Sequence, residues 1–229
     1  VTEQHPRPAA VLWDMDGTLI DSEPYWIAAE MELARQFDAP WTHEDGLSLV
    51  GNPLTVSGQI LKDRGVDLEV EQIVEHLLAR VTESVRNHVP WQPDARALLE
   101  RVVAAGIPCA LVTMSYTRLA NALVAQAPDA FAVVVTGDRV QRGKPDPEAF
   151  LTAARELGVD IERCVAIEDS PAGVASALAS GARTIGVRRL TPIPARPELS
   201  RVASLARLTP DVLGEVAGGR RIDELGDEE

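Results

Sequence analysis

The residues of this chain whose types and spacing could do chemistry stand where apolar runs stop. The first run, residues 9–13, ends in Asp14-Met15-Asp16-Gly17-Thr18. In an extended chain, residues two apart point to the same side. Two carboxylates that close repel, unless one carries a proton or a cation sits between them. Hard oxygen ligands of this kind suit Mg²⁺. Taken alone, the pattern could equally be a polar strand end followed by a helix cap. Three further features follow in order. Residues 109–112 end in Thr113 and Ser115, Lys144 lies in Arg142-Gly143-Lys144-Pro145-Asp146-Pro147, and residues 164–167 run into Glu168-Asp169-Ser170-Pro171. Carboxylates, hydroxyls, an ammonium and a second carboxylate pair are the parts needed for phosphoryl transfer. One carboxylate can attack phosphorus and split a hard step into two. A second can donate a proton to the leaving oxygen and later take one from water. A hydroxyl and a lysine can hold the non-bridging oxygens, and a metal can offset the charge.

The elements that must position these groups are short and apolar. Runs at 9–13, 109–112, 132–135, 164–167 and 184–187 have the length and composition of strands buried on both faces. Helical patterns fill most of the gaps, at 95–105, 117–126, 147–157 and 172–180. Gly106, Gly158 and Gly181 supply stop signals. The alternation predicts an α/β fold with a parallel sheet and helices on both sides. Residues 21–91 break it, because helical patterns at 23–37, 54–63 and 70–87 occur there without a buried strand. The expected organisation is a core of residues 1–20 and 92–229 carrying a helical insertion at 21–91. The insertion leaves from the end of the first strand, where ligands of open α/β sheets bind, so it is a candidate lid. Residues 214–229 are expected to be a frayed tail, its acidic part beginning about residue 218.

Composition excludes several classes. The chain has 229 residues, 22 basic against 35 acidic, and a formal net charge of -13. Such a surface disfavours nonspecific nucleic-acid or anionic-membrane binding. No apolar run is long enough for a transmembrane helix, and residues 1–10 lack a hydrophobic signal core, so a cytoplasmic protein is expected. Cys109 and Cys164 read as buried core thiols, since no metal-ligand spacing is present. His5, His43, His76 and His88 are scattered and suggest no shared site. Of the basic residues only Lys62 and Lys144 are lysine. That scarcity singles out Lys144, which stands among the chemical motifs.

With these residues in place, the chain resembles the haloacid dehalogenase superfamily of phosphohydrolases, specifically its subfamily I with a small α-helical cap. Asp14-Met15-Asp16-Gly17-Thr18, Thr113, Lys144 and Glu168-Asp169 match the family's four motifs in order. The resemblance covers residues 9 to about 187 and implies a Rossmann-like core. It implies that Asp14 is the nucleophile. Asp16 would be the acid/base and would offer its backbone carbonyl to Mg²⁺. Thr113 and Lys144 would bind the phosphoryl group, joined by the backbone N–H groups of Met15 and Met114. Asp14, Asp16, Asp169 and Glu168 would hold the metal.

The stretches Asp21-Ser22-Glu23-Pro24 and Ser170-Pro171-Ala172-Gly173-Val174 are similar to the branch holding β-phosphoglucomutase and small sugar-phosphate phosphatases. Mutases of that branch carry a His where Trp26 stands here. They also carry an Arg three residues after the cap glycine, where Gly51 is followed by Asn52-Pro53-Leu54. Both departures favour hydrolysis over the phosphohexomutase alternative. The expected protein is a monomeric Mg²⁺-dependent phosphatase of a small phosphorylated metabolite, a sugar phosphate. Tyr25, Trp26, Asn52, Arg80 and Arg86 are the candidate specificity residues of the cap. The non-enzyme alternative is a phospho-accepting, receiver-like signalling or binding protein. The Arg-rich stretch 183–207 reads as solvated surface.

Overall fold

The computed structural model describes residues 7–226. His5 and the tail acids Asp227, Glu228 and Glu229 lie outside them. The described chain divides into two compact units, one reaching to Ile20 and resuming at Trp91, the other Asp21–Pro90.

The first unit is built on a six-stranded parallel sheet: β1 (Ala10–Trp13), β2 (Cys109–Val112), β3 (Val133–Val135), β4 (Cys164–Glu168), β5 (Arg183–Val187) and β6 (Leu199–Val202). The spatial order is β3-β2-β1-β4-β5-β6. This is a Rossmann-like, doubly wound sheet. The order in which strands are added reverses between β1 and β4, and there such sheets open a crevice at the carboxyl ends of their strands. Every residue of β1, β2 and β4 is buried, which explains their unbroken apolar runs. Register aligns the chemistry. Trp13 lies beside Leu111 on one neighbour and Ile167 on the other. Asp14, Thr113 and Glu168 therefore end adjacent strands at similar height.

Helices α5 (Pro93–Ala104), α6 (Thr117–Val124), α7 (Glu148–Leu157), α8 (Pro171–Ser180) and α9 (Pro210–Ala217) complete this unit. Ala10, Leu12, Ala110, Val112 and Ala166 face α7 and α8 through Phe150, Ala153 and Ala177. Alternation turns Val11, Trp13, Leu111 and Ile167 to the opposite face. Cys109 and Cys164 are buried free thiols within the sheet.

The second unit is helical: α1 (Glu23–Gln36), α2 (His43–Leu47), α3 (Leu54–Asp63) and α4 (Val70–Asn87). Helix α4 packs against α1 and α3. It buries Ile73, Val74, Leu77, Leu78, Val81 and Val85 along one stripe, at the 3–4 residue spacing of an amphipathic helix. The five-residue α2 was not expected. Its start is a capping box in which Thr42 and Asp45 exchange side-chain and backbone bonds. Glu30 is buried on α1, and burial, with the charge of Glu23 adding, pushes its carboxyl up to about 8. Among the described residues, no helix is long and apolar enough to cross a membrane.

Two expectations about the C-terminal region are corrected. The stretch 183–207 is not a solvated arginine surface throughout, because it contains β5 and β6, and Arg201 in the middle of β6 is fully buried. The chain from 214 is not frayed over its described length: residues 214–217 are the end of α9, with Gly214 and Val216 buried, and the rest is tied to the sheet. Arg201 donates its backbone N–H to Ile222 and accepts from the N–H of Glu224, so this segment pairs with the β6 edge. The physical reason is charge pairing. The Arg201 guanidinium donates from Nε to Asp223 Oδ1 (3.1 Å) and from Nη2 to Asp223 Oδ2 (3.0 Å). It also reaches the carbonyl oxygens of Ile193 and Gly226. An acid that reads as tail is thus the counter-ion of a buried strand arginine.

Candidate active site

Each chemical group stands on a rigid strand end or on a loop tied down nearby. Asp14 follows β1, and its backbone N–H bonds to the Ile167 carbonyl of β4 (3.0 Å). Directly after it the chain makes a tight turn. Leu19 and Ile20 both donate to the Met15 carbonyl, and Gly17 donates to Ile20. Gly17 adopts a left-handed φ of 86°, and a Cβ there would lie 2.1 Å from Asp169 Oδ2. Only glycine lets this turn pass beneath the second carboxylate pair.

Lys144 precedes α7, and its loop is fastened to α8 by a bond from Ser176 Oγ to the Asp146 carbonyl (2.6 Å). Its side chain is 5% exposed. All three ammonium protons have acceptors: Asp14 Oδ1 at 2.7 Å, Glu168 Oε1 at 2.6 Å and the Val112 carbonyl at 2.9 Å. The ammonium also lies 5.3 Å from the centre of the Phe150 ring. Burial alone would lower its pKa, but Asp14 and Glu168 outweigh that and raise it.

Glu168 ends β4. Its Oε2 accepts the N–H groups of Asp169 (3.1 Å) and Ser170 (3.3 Å) and the Ser170 hydroxyl (3.1 Å). Ser170 in turn caps α8 through Gly173 N–H (3.0 Å). Asp169 accepts at Oδ1 from the buried Thr18 hydroxyl (3.1 Å). Burial first, then the charge of Asp14, raises the Glu168 carboxyl to about 7, and burial with both neighbouring carboxylates raises Asp169 well above its ordinary range. Asp16 points elsewhere, toward β2. Its Oδ2 accepts the hydroxyls of Ser115 (2.7 Å) and Thr113 (3.3 Å).

Asp14, Glu168 and Asp169 can each offer a ligand oxygen within 4.8 Å of the others. Asp14 Oδ2 is buried and has no hydrogen-bond partner. Three crowded carboxylates against one ammonium, with an orphaned oxygen among them, fit a hard divalent cation. A bound cation would relieve the repulsion that raises the carboxyl pKa values.

The expected residues Asp14, Asp16, Thr113, Lys144, Glu168 and Asp169 are therefore brought together. Met15 is fully buried. Met114 is half-buried, and its thioether accepts the Lys144 backbone N–H (3.3 Å). The cap candidates belong to the helical unit. Tyr25 donates to the His88 carbonyl (3.0 Å), and Arg80 is paired with Glu32 and Glu83. Trp26 is half-buried on α1, while Asn52 and Arg86 are exposed.

Sequence reasoning gives Thr18, Ser170 and Gly173 no individual role. A Cβ on Gly173 would fall 1.9 Å from the Glu168 carboxyl carbon, so Glu168 folds back over the start of α8. A signal was available, since glycine in a helical first turn costs about 1 kcal/mol relative to alanine and implies a close approach.

Comparison with known proteins identifies the family. Residues 11–187 match the haloacid dehalogenase-like hydrolase family. The chain belongs to that family. Hexitol phosphatase A of Escherichia coli is 36% identical over 211 residues, covering 89% of this chain and 94% of that protein. A phosphorylated carbohydrates phosphatase of Thermotoga maritima is 33% identical, over 77% of this chain and 83% of that one. Among solved structures, CbbY from Rhodobacter sphaeroides in complex with phosphate superposes with a TM-score of 0.75 at 26% identity, covering 87% and 96% of the two chains. The core residues assembled above thus stand in a haloacid dehalogenase-type hydrolase.

Proposed function

We propose that this haloacid dehalogenase-like hydrolase is a phosphatase of small phosphorylated sugars or sugar alcohols, working through a phosphoryl group carried on Asp14. The observation that carries the reading is the buried Lys144 ammonium held between Asp14 and Glu168, beside an Asp14 oxygen with no protein partner. The similarity to a hexitol phosphatase and a phosphorylated carbohydrates phosphatase supports the substrate class.

A carboxylate oxygen of Asp14 attacks phosphorus, and the bond from phosphorus to the ester oxygen breaks. Asp16, as the carboxylic acid, gives its proton to the departing oxygen, so an alcohol leaves. A water then attacks the same phosphorus while Asp16, now a carboxylate, takes its proton. The bond from phosphorus to Asp14 breaks, and inorganic phosphate is released with both carboxyl groups restored. Lys144 and Thr113 hold the non-bridging oxygens, and the N–H groups of Met15 and Met114 assist. Ser115 and Thr113 orient Asp16 through the hydroxyl bonds described above. Asp14, Asp169 and Glu168, with the Asp16 carbonyl, would hold Mg²⁺, which supplies positive charge where an anion meets an anion. Specificity among substrates is assigned to the cap, with Tyr25, Trp26, Asn52 and Arg86 the residues to vary first.

The test is phosphate release from a panel of hexitol phosphates, hexose phosphates and fructose 1-phosphate with and without Mg²⁺. Release should require the metal, and Asp14→Asn should lower it on the order of 10³-fold or more. Full activity in Asp14→Asn overturns the mechanism. Interconversion of glucose 1-phosphate and glucose 6-phosphate faster than phosphate release would favour the mutase reading instead.

A further inference from the structure

Asp169 is held at three atoms, and only two of the tethers lie near it in the motifs. Its N–H bonds to Glu168, and its Oδ1 accepts from Thr18. The third tether comes from the loop after β5, where Thr191 Oγ1 donates to the Asp169 carbonyl at 3.0 Å. That carbonyl belongs to the peptide joining Asp169 to Ser170, so fixing it fixes the direction in which the Asp169 side chain leaves the backbone.

The loop carrying Thr191 is itself clamped two residues earlier. Arg189 makes a two-pronged pair with Asp94 at the start of α5: Nη2 to Oδ1 at 2.8 Å and Nη1 to Oδ2 at 3.2 Å. Paired contacts of this kind fix orientation as well as position. Asp94 also accepts Ser204 Oγ (2.6 Å), Leu205 N–H (2.9 Å) and Ala95 N–H (2.8 Å). Burial works against its charge, but the bonds from Arg189, Ser204 and Leu205 win and hold its pKa at about 2. Both side chains of the pair are 13% exposed. The clamp therefore stays charged and screened from water around neutral pH.

We infer that Thr191, held in place by the Arg189–Asp94 pair, is a positioning residue that sets Asp169 for the metal. The inference rests on the proposed role of Asp169 as a metal ligand. Partners that orient a ligand from outside commonly change metal affinity by about 10- to 100-fold when removed. Thr191 touches the backbone of Asp169 rather than its carboxylate, so about tenfold is expected.

The experiment strips the full-length protein of metal and titrates it with Mn²⁺ without substrate, reading free Mn²⁺ by electron paramagnetic resonance. Thr191→Val should raise the Mn²⁺ Kd about tenfold, while Thr191→Ser should return it close to the parent. Arg189→Met, which removes the clamp without touching Asp169, should shift it the same way by less. Thermal melting of the metal-free proteins checks that each variant is folded. If Asp169→Ala loses Mn²⁺ while Thr191→Val binds it as tightly as the parent, the positioning inference is overturned and the metal site stands. If Thr191→Ser is as weak as Thr191→Val, the hydroxyl is not the agent and the inference again fails. If Asp169→Ala binds Mn²⁺ like the parent, the metal-site reading itself fails.

Discussion

Two enclosed cations of the core, Arg201 and Lys144, differ in one respect. At the sheet edge, fully buried Arg201 meets Asp223 with two bonds and two backbone carbonyls take further donors. Arg221 also reaches Asp223 (2.9 Å), and the Arg201 bonds, with help from Arg221, lower the Asp223 pKa. Charge there is closed. At the strand ends, Lys144 is just as enclosed, yet three carboxylates surround one ammonium and Asp14 Oδ2 has no partner. Buried charge therefore does not mark the site; buried charge that the protein leaves unbalanced does. A closed pair holds structure, whereas an open one has room for a metal and a phosphoryl group.

That distinction can be broken or sharpened by mutation. The largest effect should come from Lys144→Arg, which keeps the charge but replaces a compact ammonium with a planar fork where there is no spare space. We expect kcat/KM to fall on the order of 10³-fold at temperatures well below the variant's own melting transition. Unchanged kinetics would make the lysine only a charge, and its scarcity in this chain mere composition. At the closed pair the outcome should invert. Asp223→Ala leaves Arg201 buried with its counter-ion gone, costing about 3 kcal/mol. The Tm should fall by about 9 °C, with kcat/KM on a sugar phosphate unchanged. A kinetic defect without loss of stability would erase the contrast between the two regions.

A third kind of burial is that of the Glu30 carboxyl in the helical unit, one oxygen of which has no hydrogen-bond partner. Its folded pKa of about 8 lies above the ordinary 4.5. Stability from this group is thus fully present below pH 4.5 and lost as pH rises through about 8. Glu30→Gln should remove that slope. Parent and variant should melt together near pH 5, and the variant should melt higher than the parent at pH 9. Parallel curves at both pH values would show that Glu30 ionises as freely in the fold as in the unfolded chain.

The same contrast explains what could be read from residue order. Asp14, Thr113 and Glu168 stand out because each interrupts an apolar run that has every residue buried. Strand β6 was hidden for the opposite reason. Leu199-Ser200-Arg201-Val202 carries a charge at its centre, and the neutralising Asp223 comes only after a helix and a turn. Thr18 and Thr191 were silent because their bonds to Asp169 depend on how two loops from distant parts of the chain converge. Gly17 was visible as a turn residue, but not as the surface on which Asp169 rests.

The central claim is that phosphorus passes through Asp14. The direct measurement is an acid quench within the first turnover on a phosphorylated hexitol with Mg²⁺, followed by peptide mass analysis. A phosphoryl group should appear on the peptide containing Asp14, absent in Asp14→Asn and chased away as phosphate appears. Phosphate released at full rate with no label on Asp14, or with the label on another residue, would contradict it.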